Sequence, residues 1–436
     1  MILDSPATPS IPLNDRRTIN GWAMFDWANS AFALVITTAI FPEYFYAVVD
    51  DKVNFLGTQV SNTALFSYLI SIAYLVIAIF SPFLSGIADA GGKRQWFLRF
   101  FTILGGISCI MLSFFTGMST LWLGSICFVL ALIGFAGGLV FYNSFLPIIA
   151  TPDKYDVYSA RGFAMGYIGS VILLVINLLM VMKPELFGMA PDSNFRFPLI
   201  FITVGLWWMG WAQIPFNRLP KDSRVRGSLA DMGRAGYREI RDVWQRIKGM
   251  TQLKRFLYSF FCYSAGVQTI IFLASIFAVD ELGFKGEDLI KLILILQIVA
   301  IGGAYLFSWL SGRYGNRNAL LTMLFIWLGI CLVGYFVSSK PEFYSLAGAV
   351  GLVMGGIQSL SRSTYAKLIP TKGDTTSFYS FYDVLEKVAI VLGTFAFGLI
   401  NNLTGNMRSS LLALALFFLA GIVLLFFFRL PKLQEE

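Results

Sequence analysis

Long apolar stretches separated by short polar breaks dominate the chain from end to end. A helix that crosses a bilayer needs about 20 residues, because ~30 Å of hydrocarbon is covered at 1.5 Å per residue. Twelve stretches reach that length, at about 21–48, 61–88, 96–116, 120–146, 160–182, 195–217, 255–280, 287–311, 317–338, 343–369, 377–402 and 408–429. One long polar stretch, from Arg218 to about Leu253, interrupts the rhythm. Within it Leu229, Met232, Tyr237, Ile240, Val243, Trp244 and Ile247 recur at broadly helical spacing. This pattern predicts an amphipathic helix on the inner membrane surface or against the inner ends of the bundle. It serves as a charged linker that keeps two halves apart, with a regulatory or partner site as the alternative. The expected organisation is a tail (1–20), an N-terminal six-helix bundle (21–217), a basic linker (218–253) and a C-terminal six-helix bundle (254–436). The fold class is an all-α membrane protein of twelve transmembrane helices.

Composition strengthens this picture. Of the 436 residues 57% are hydrophobic and 13% are charged, against about 25% charged in a soluble domain. A soluble enzyme and a nucleic-acid binder are thereby excluded, and the +8 net charge becomes a statement about topology. Lys and Arg gather on alternate loops: Arg16 and Arg17, Lys93 and Arg94, Lys154, the long linker, Arg313 and Arg317, Lys372, and Arg429 and Lys432. The opposite side holds Lys52, Lys183, Arg196, Lys285, Lys291, Lys340 and Arg408, only seven of the 33. The positive-inside rule then predicts that both termini are cytoplasmic, in a bacterial inner membrane. The tail "MILDSPATPSIPLNDRR" has no apolar core before Arg16 and Arg17, which is expected of a polar tail and not of a signal peptide.

Histidine is absent, so any proton coupling falls to carboxylates. The four cysteines, Cys109, Cys127, Cys262 and Cys331, lie inside spans without a CxxC pair and read as small apolar residues. No metal site or cofactor is expected, and neither GxSxG, HExxH nor a phosphate loop supports a membrane enzyme.

The two halves carry traces of duplication. Gly92 and Gly315, Arg94 and Arg317, and Pro147 and Pro370 are each related by the same offset in matching loops. Parallel six-span repeats with a midplane site between them describe a secondary transporter.

The loop "GIADAGGKR" (Gly86–Arg94) resembles the signature of the major facilitator superfamily. The resemblance implies two pseudo-symmetric six-helix bundles, with Asp89 and Arg94 as a latch that holds a neighbouring helix end in one conformational state. The second copy, "WLSGRYGNR", has Gly312 where the acid would stand, so only one half is expected to keep the full latch. The stretches "FDWANSAFA", "VFYNSFLPIIA", "YSARGFAMGYIGS", "YSAGVQT", "GGIQSLSRSTYAKLIP" and "FYSFYDVLEKVAIVLG" resemble the vacuole-effluxer-like family within that superfamily. Its eukaryotic member is an autophagy-related vacuolar amino-acid effluxer, which implies amino acids or short peptides as the solute class. Ala265 stands where related sequences tend to carry an acid, so no acid role is carried over there.

Polar residues within the spans are the candidate site. Asp26 lies five residues into a span that starts near Gly21, about 7.5 Å up, in the interfacial zone. It is read either as a carboxylate at a helix N-terminus or as a cavity and gate residue. Asn29 and Ser30 share its helix face and are expected to line a cavity or to bond a neighbouring helix. On span ten, Gln358 and Arg362 are candidates. Arg362, Asp383, Glu386 and Lys387 sum to zero charge and are expected as one network pinning span ten to span eleven, either structural or able to release an acid for a proton. The Arg362 fork suits a solute carboxylate, with Asp26 at the other end of a zwitterion. Asn143, with Tyr142 and Ser144, closes span four and is read either as polar cavity lining or as helix packing. Arg161 begins span five and is expected to snorkel to the cytoplasm or to act in gating. Tyr263, Ser264 and Gln268 form a polar stripe on span seven that faces span one by pseudo-symmetry. Gln297 on span eight is a weaker candidate. Gly162, Gly166 and Gly169, and Gly351 and Gly355, sit at helix-packing spacing.

These residues point to an alternating-access transporter of a small polar solute, driven by a proton gradient and working as a monomer among membrane lipids. Export of amphipathic compounds and solute sensing without transport are the rival readings.

Overall fold

The computed structural model describes residues 12–55, 57–190, 195–222, 229–371 and 373–431. Lys372, Lys432, residues 1–11 of the tail and residues 223–228 of the linker lie outside the described residues, as do the side chains of Leu229 and Met232.

Twelve long helices fill the twelve predicted spans. Spans one to six are Arg16–Val48, Asn62–Gly91, Arg94–Met111, Leu121–Asn143, Tyr155–Met182 and Arg196–Arg218. Spans seven to twelve are Thr251–Leu282, Glu287–Tyr314, Asn316–Phe336, Lys340–Leu368, Thr375–Thr404 and Met407–Phe426. Eleven of these are long and apolar enough to cross a membrane by length and composition; the twelfth, Thr375–Thr404, carries Asp383, Glu386 and Lys387. Spans one, five, seven and ten start about a turn before their apolar stretches, at Arg16, Tyr155, Thr251 and Lys340. The Asp15 carboxylate accepts the backbone N–H of Thr18 at 2.8 Å, and the Ser61 hydroxyl accepts that of Ala64 at 3.1 Å. Both are N-cap bonds that satisfy donors the helix leaves orphaned.

These extensions correct two placements. Span one begins at Arg16, so Asp26 is ten residues, about 15 Å, from its start. It is buried, where an interfacial carboxylate would be wet. Span five begins at Tyr155, which places Arg161 well inside the helix and not at its mouth. Arg161 is half-buried, and its side chain has no hydrogen bond or ion pair among the described residues.

Span one is not a uniform α-helix. Phe32–Ile40 winds as a π-helix, a form found mostly at functional sites. Between spans one and two a hairpin pairs β1 (Lys52–Phe55) with β2 (Thr58–Ser61), Val53 opposite Val60; the hydropathy pattern held no sign of it.

Close packing within each half depends on backbone approach. A Cβ on Gly355 of span ten would collide with the Ala300 carbonyl of span eight, and one on Gly303 with the Leu352 carbonyl. The pair of glycines seats spans eight and ten directly against each other. In the N-terminal half Gly162 and Gly166 make a shelf on span five against Asp26 and Ser30.

The linker helix, Leu229–Gly249, does not stand between the halves as a spacer. Gly236 meets Gly86 of span two backbone to backbone, and Trp244 stacks on Phe381 of span eleven with centroids 5.7 Å apart. Arg246 pairs with Asp374, just before span eleven, and lies 3.4 Å from Glu239. The helix therefore straps one half to the other. Burial of Glu239 and the neighbouring Asp374 carboxylate push its carboxyl up to about 7.

Candidate functional site

Span ten carries its guanidinium into the N-terminal half. Arg362 Nη1 reaches Asp26 Oδ2 at 3.1 Å and Asn143 Oδ1 at 3.2 Å. Nε donates to the Ser159 hydroxyl at 2.9 Å and Nη2 to the Ser159 carbonyl at 2.8 Å. Tyr142 donates its hydroxyl to Asp26 Oδ2 at 2.7 Å. The guanidinium lies over Phe163 (4.2 Å) and Trp22 (4.8 Å). Both side chains are almost wholly buried, Arg362 at 3% and Asp26 at 6%. A buried ion pair persists when its remaining donors and acceptors are also satisfied, and four elements here supply the partners.

The expected single network of Arg362 with Asp383, Glu386 and Lys387 is therefore two separate groups. Arg362 points across the interface to Asp26 of span one and not to the acids of span eleven. Lys387 alone answers the span-eleven acids, at 3.0 Å from Asp383 Oδ1 and 3.3 Å from Glu386 Oε2. Gln268 of span seven donates to Glu386 Oε1 at 3.0 Å, while Asp383 Oδ2 is buried without a partner. Arg362 and Asp26 are likewise not two free poles for a zwitterion, since they hold each other.

Two latches close the terminus-bearing end. Asp89 accepts the Ser377 N–H at 2.7 Å in the first turn of span eleven, where a carboxylate meets the positive helix end. Arg94 holds Asp89 at 2.8 Å and donates to Thr376 and Thr375 at 2.6 and 2.9 Å. The second latch exists as well, contrary to the expectation drawn from Gly312, but its acid has crossed the interface. Asp156 at the start of span five accepts from Ser311 (2.8 Å), Asn316 (2.8 Å) and Lys367 (2.7 Å), all from the C-terminal half. Lys367 also donates to Asn316 at 2.9 Å. Sequence reasoning passed over Asp156, Lys367 and Ser159. Asp156 looked like loop polarity in "TPDKYDVYSA", although it falls near the same offset from the start of span eleven that relates the other duplicated positions.

Beyond this closed end a cavity of about 320 Å³ opens between the halves. Its walls include Asp26, Asn29, Ser30, Asn143, Tyr263, Ser264, Gln268, Gln297, Gln358, Arg362, Glu386 and Lys387. It runs from the Asp26–Arg362 pair to Thr38 on span one and Ser275 on span seven, about 18 Å further along span one. Tyr167 donates to Gln358 at 2.6 Å across the interface, and Tyr263 shares a hydrogen bond with Ser361 at 2.8 Å. All nine sequence-derived binding candidates line this one space. Asp383 and Arg161 are not on its wall, and Asp89 and Arg94 sit in the latch.

The family model described as "Vacuole effluxer Atg22 like" matches residues 14–158 and 150–436, nearly the whole chain. The chain belongs to that family. It is 31% identical over 410 residues to the uncharacterized MFS-type transporter YxiO of Bacillus subtilis, covering 94% of each chain. It is 25% identical to autophagy-related protein 22 of Kluyveromyces lactis, over 94% of this chain and 93% of that one. Among solved structures, the major facilitator superfamily transporter FucP in its outward conformation superposes with a TM-score of 0.69 at 14% identity, over 95% of this chain and all of that one. A bacterial homologue of the iron transporter ferroportin, outward-facing, gives 0.65 at 13% identity, over 94% and 98%. The fold is that of the major facilitator superfamily, and this member of the Atg22-like family is a multi-pass membrane transporter and not an enzyme.

Proposed function

We propose that the protein is a secondary active transporter that carries a small polar solute by alternating access, with the cavity as the carrying site and a proton gradient as the driving force. Amino acids or short peptides are the first class to test, in keeping with the effluxer name of the family. The observation that carries this reading is the asymmetry of the space between the halves. One end is shut by two latches and the Asp26–Arg362 pair, and the other leads to a polar-lined cavity. The Lys and Arg bias of the loops supports assigning the shut end to the cytoplasm, in a bacterial inner membrane. On that assignment the structure is the outward-open state, and transport requires the Asp89–Arg94 and Asp156–Lys367 latches to release together.

The test is flux into proteoliposomes of the purified protein with labelled amino acids and dipeptides, with and without an imposed pH gradient. Gradient-dependent accumulation that a protonophore abolishes is the expected result. Accumulation indifferent to the gradient would remove proton coupling, and absence of flux for a folded protein that binds its solute would favour a sensor.

A further inference from the structure

The charges on the cavity wall cancel only until Asp383, buried behind that wall, is counted with them. Asp26 and Arg362 neutralise each other, but Lys387 alone faces both Asp383 and Glu386. The group carries one formal negative charge in excess, in surroundings too apolar to leave it uncompensated. Of the two acids Asp383 is sealed in, at 8% side-chain exposure, whereas Glu386 is 24% exposed and lies on the cavity wall. Gln268 fixes one of its oxygens. On the N-terminal wall Asn29 is 1% exposed and lines the same cavity, yet neither its amide nitrogen nor its carbonyl oxygen has a partner among the described residues. Buried amides are almost always hydrogen-bonded, so this one awaits a group from the cavity. Tyr74 and Phe260 add aromatic surface to the space, and the Tyr74 ring already faces the Lys387 ammonium at 5.5 Å. By contrast no unpaired cation among the described residues lines the cavity: Arg362 is spent on Asp26, Asn143 and Ser159, and Lys387 on Asp383 and Glu386.

We infer that the solute is recognised through a primary ammonium group, which lies against Glu386 and supplies the missing positive charge, with Asn29 as its second anchor, and that a solute carboxylate is not captured by Arg362. This rests on the transport reading and narrows it: the determinant is the amine, and the acid end is dispensable. Charge-assisted hydrogen bonds to a desolvated carboxylate give the selectivity, and aromatic walls suit an amine with an apolar body.

Binding to the detergent-purified full-length protein is measured by calorimetry with phenethylamine, phenylalaninamide, phenylalanine and 3-phenylpropionate at pH 7.5, a probe pH of about neutral. The two carboxylate-free amines should bind at least as tightly as phenylalanine, and 3-phenylpropionate should not bind. Glu386→Gln should weaken the amines by about ten- to a hundredfold, and Asn29→Ala, which leaves every charge in place, by several-fold; both variants are first shown to keep the melting behaviour of the parent. Tight binding of 3-phenylpropionate, or amine affinity unchanged in Glu386→Gln, would overturn the inference. So would silence from all amines combined with proton uptake lost in Glu386→Gln, which would make the compensating charge a proton. Amine binding without flux in proteoliposomes would leave the inference standing and sink transport; flux of an acidic solute would do the reverse.

Discussion

Removing the Asp26 carboxylate tests the floor of the cavity most directly. In Asp26→Ala the guanidinium of Arg362 stays where it is, 3% exposed, held by Ser159, Asn143 and the faces of Phe163 and Trp22. It then has hydrogen bonds but no counter-charge. Breaking a buried pair from one side costs about 3–5 kcal/mol, because a charge is left uncompensated in a poorly polarisable place. Arg362→Met on its own leaves Asp26 with the Tyr142 hydroxyl only, and a similar penalty follows. In the double variant Asp26→Ala, Arg362→Met no charge remains, and the loss falls to the order of 1–2 kcal/mol for imperfect packing. The singles should therefore exceed the double, with a coupling of several kcal/mol between the two sites. Denaturant unfolding in mild detergent, followed by tryptophan emission, measures all four corners of the cycle. The single variants have a second way to relieve the charge, which is to open the closed end and let water in. Ser144, buried at the closed end with its hydroxyl 3.2 Å from that of Thr376, reports this as Ser144→Cys on a background without the native cysteines: its thiol should be protected in the parent and labelled by a bulky maleimide in Asp26→Ala. A double variant as unstable as the sum of the singles, with Ser144→Cys protected throughout, would refute the claim that this pair compensates itself and closes the floor.

Other consequences are open to measurement. Asp156→Asn strands Lys367, whose side chain is 7% exposed, and should cost about 3 kcal/mol in unfolding, with Lys367→Met recovering most of it in the double variant. Gly355→Val drives a side chain into the Ala300 carbonyl, and overpacking of at least about 1–3 kcal/mol should show as a lower melting temperature. The linker strap should respond to pH. Its Glu239 carboxyl titrates at about 7 when docked, against an ordinary value of 4.5, so the docked helix takes up a proton as pH falls and docking strengthens between those values. Relative to a reference peptide digested alongside, trypsin should cut at Arg238 and Arg241 faster at pH 8 than at pH 6, and Glu239→Gln should abolish that relative difference.

Hydropathy made the architecture readable, since the solvent imposes it: a chain that must hide its backbone in lipid writes each helix as a continuous apolar run. The ends were less clear because first turns and caps are polar, and Asp15 caps a helix that starts at Arg16, ahead of the run that announced it. The π-helical stretch of span one leaves no periodic mark in "FALVITTAI". Site residues were recognisable one at a time, as polar side chains where polarity is costly, which is why Asp26, Asn29, Gln268 and Arg362 stood out. Their partnerships were not, because sequence spacing speaks only of neighbours on the same helix. Sequence spacing groups Arg362 with the acids of the next span, whereas its counter-ion lies 336 residues away. Asp156 and Lys367 escaped notice for the same reason: each looks like surface polarity until the other half is set against it.

The crossing-over of the second latch acid bears on how the two halves find each other. At the shared offset of the duplicated loops, the N-terminal counterpart of Lys367 is Ser144, and the C-terminal counterpart of Asp156 is Tyr379. Two copies of the first half would thus confront Asp156 with a hydroxyl and no ammonium at that position, and two copies of the second would bury Lys367 against a phenol ring. Only the unlike combination satisfies both. What began as a repeat has become a matched pair with a directional fit, so halves expressed as separate polypeptides should assemble as heterodimers and reject their own kind.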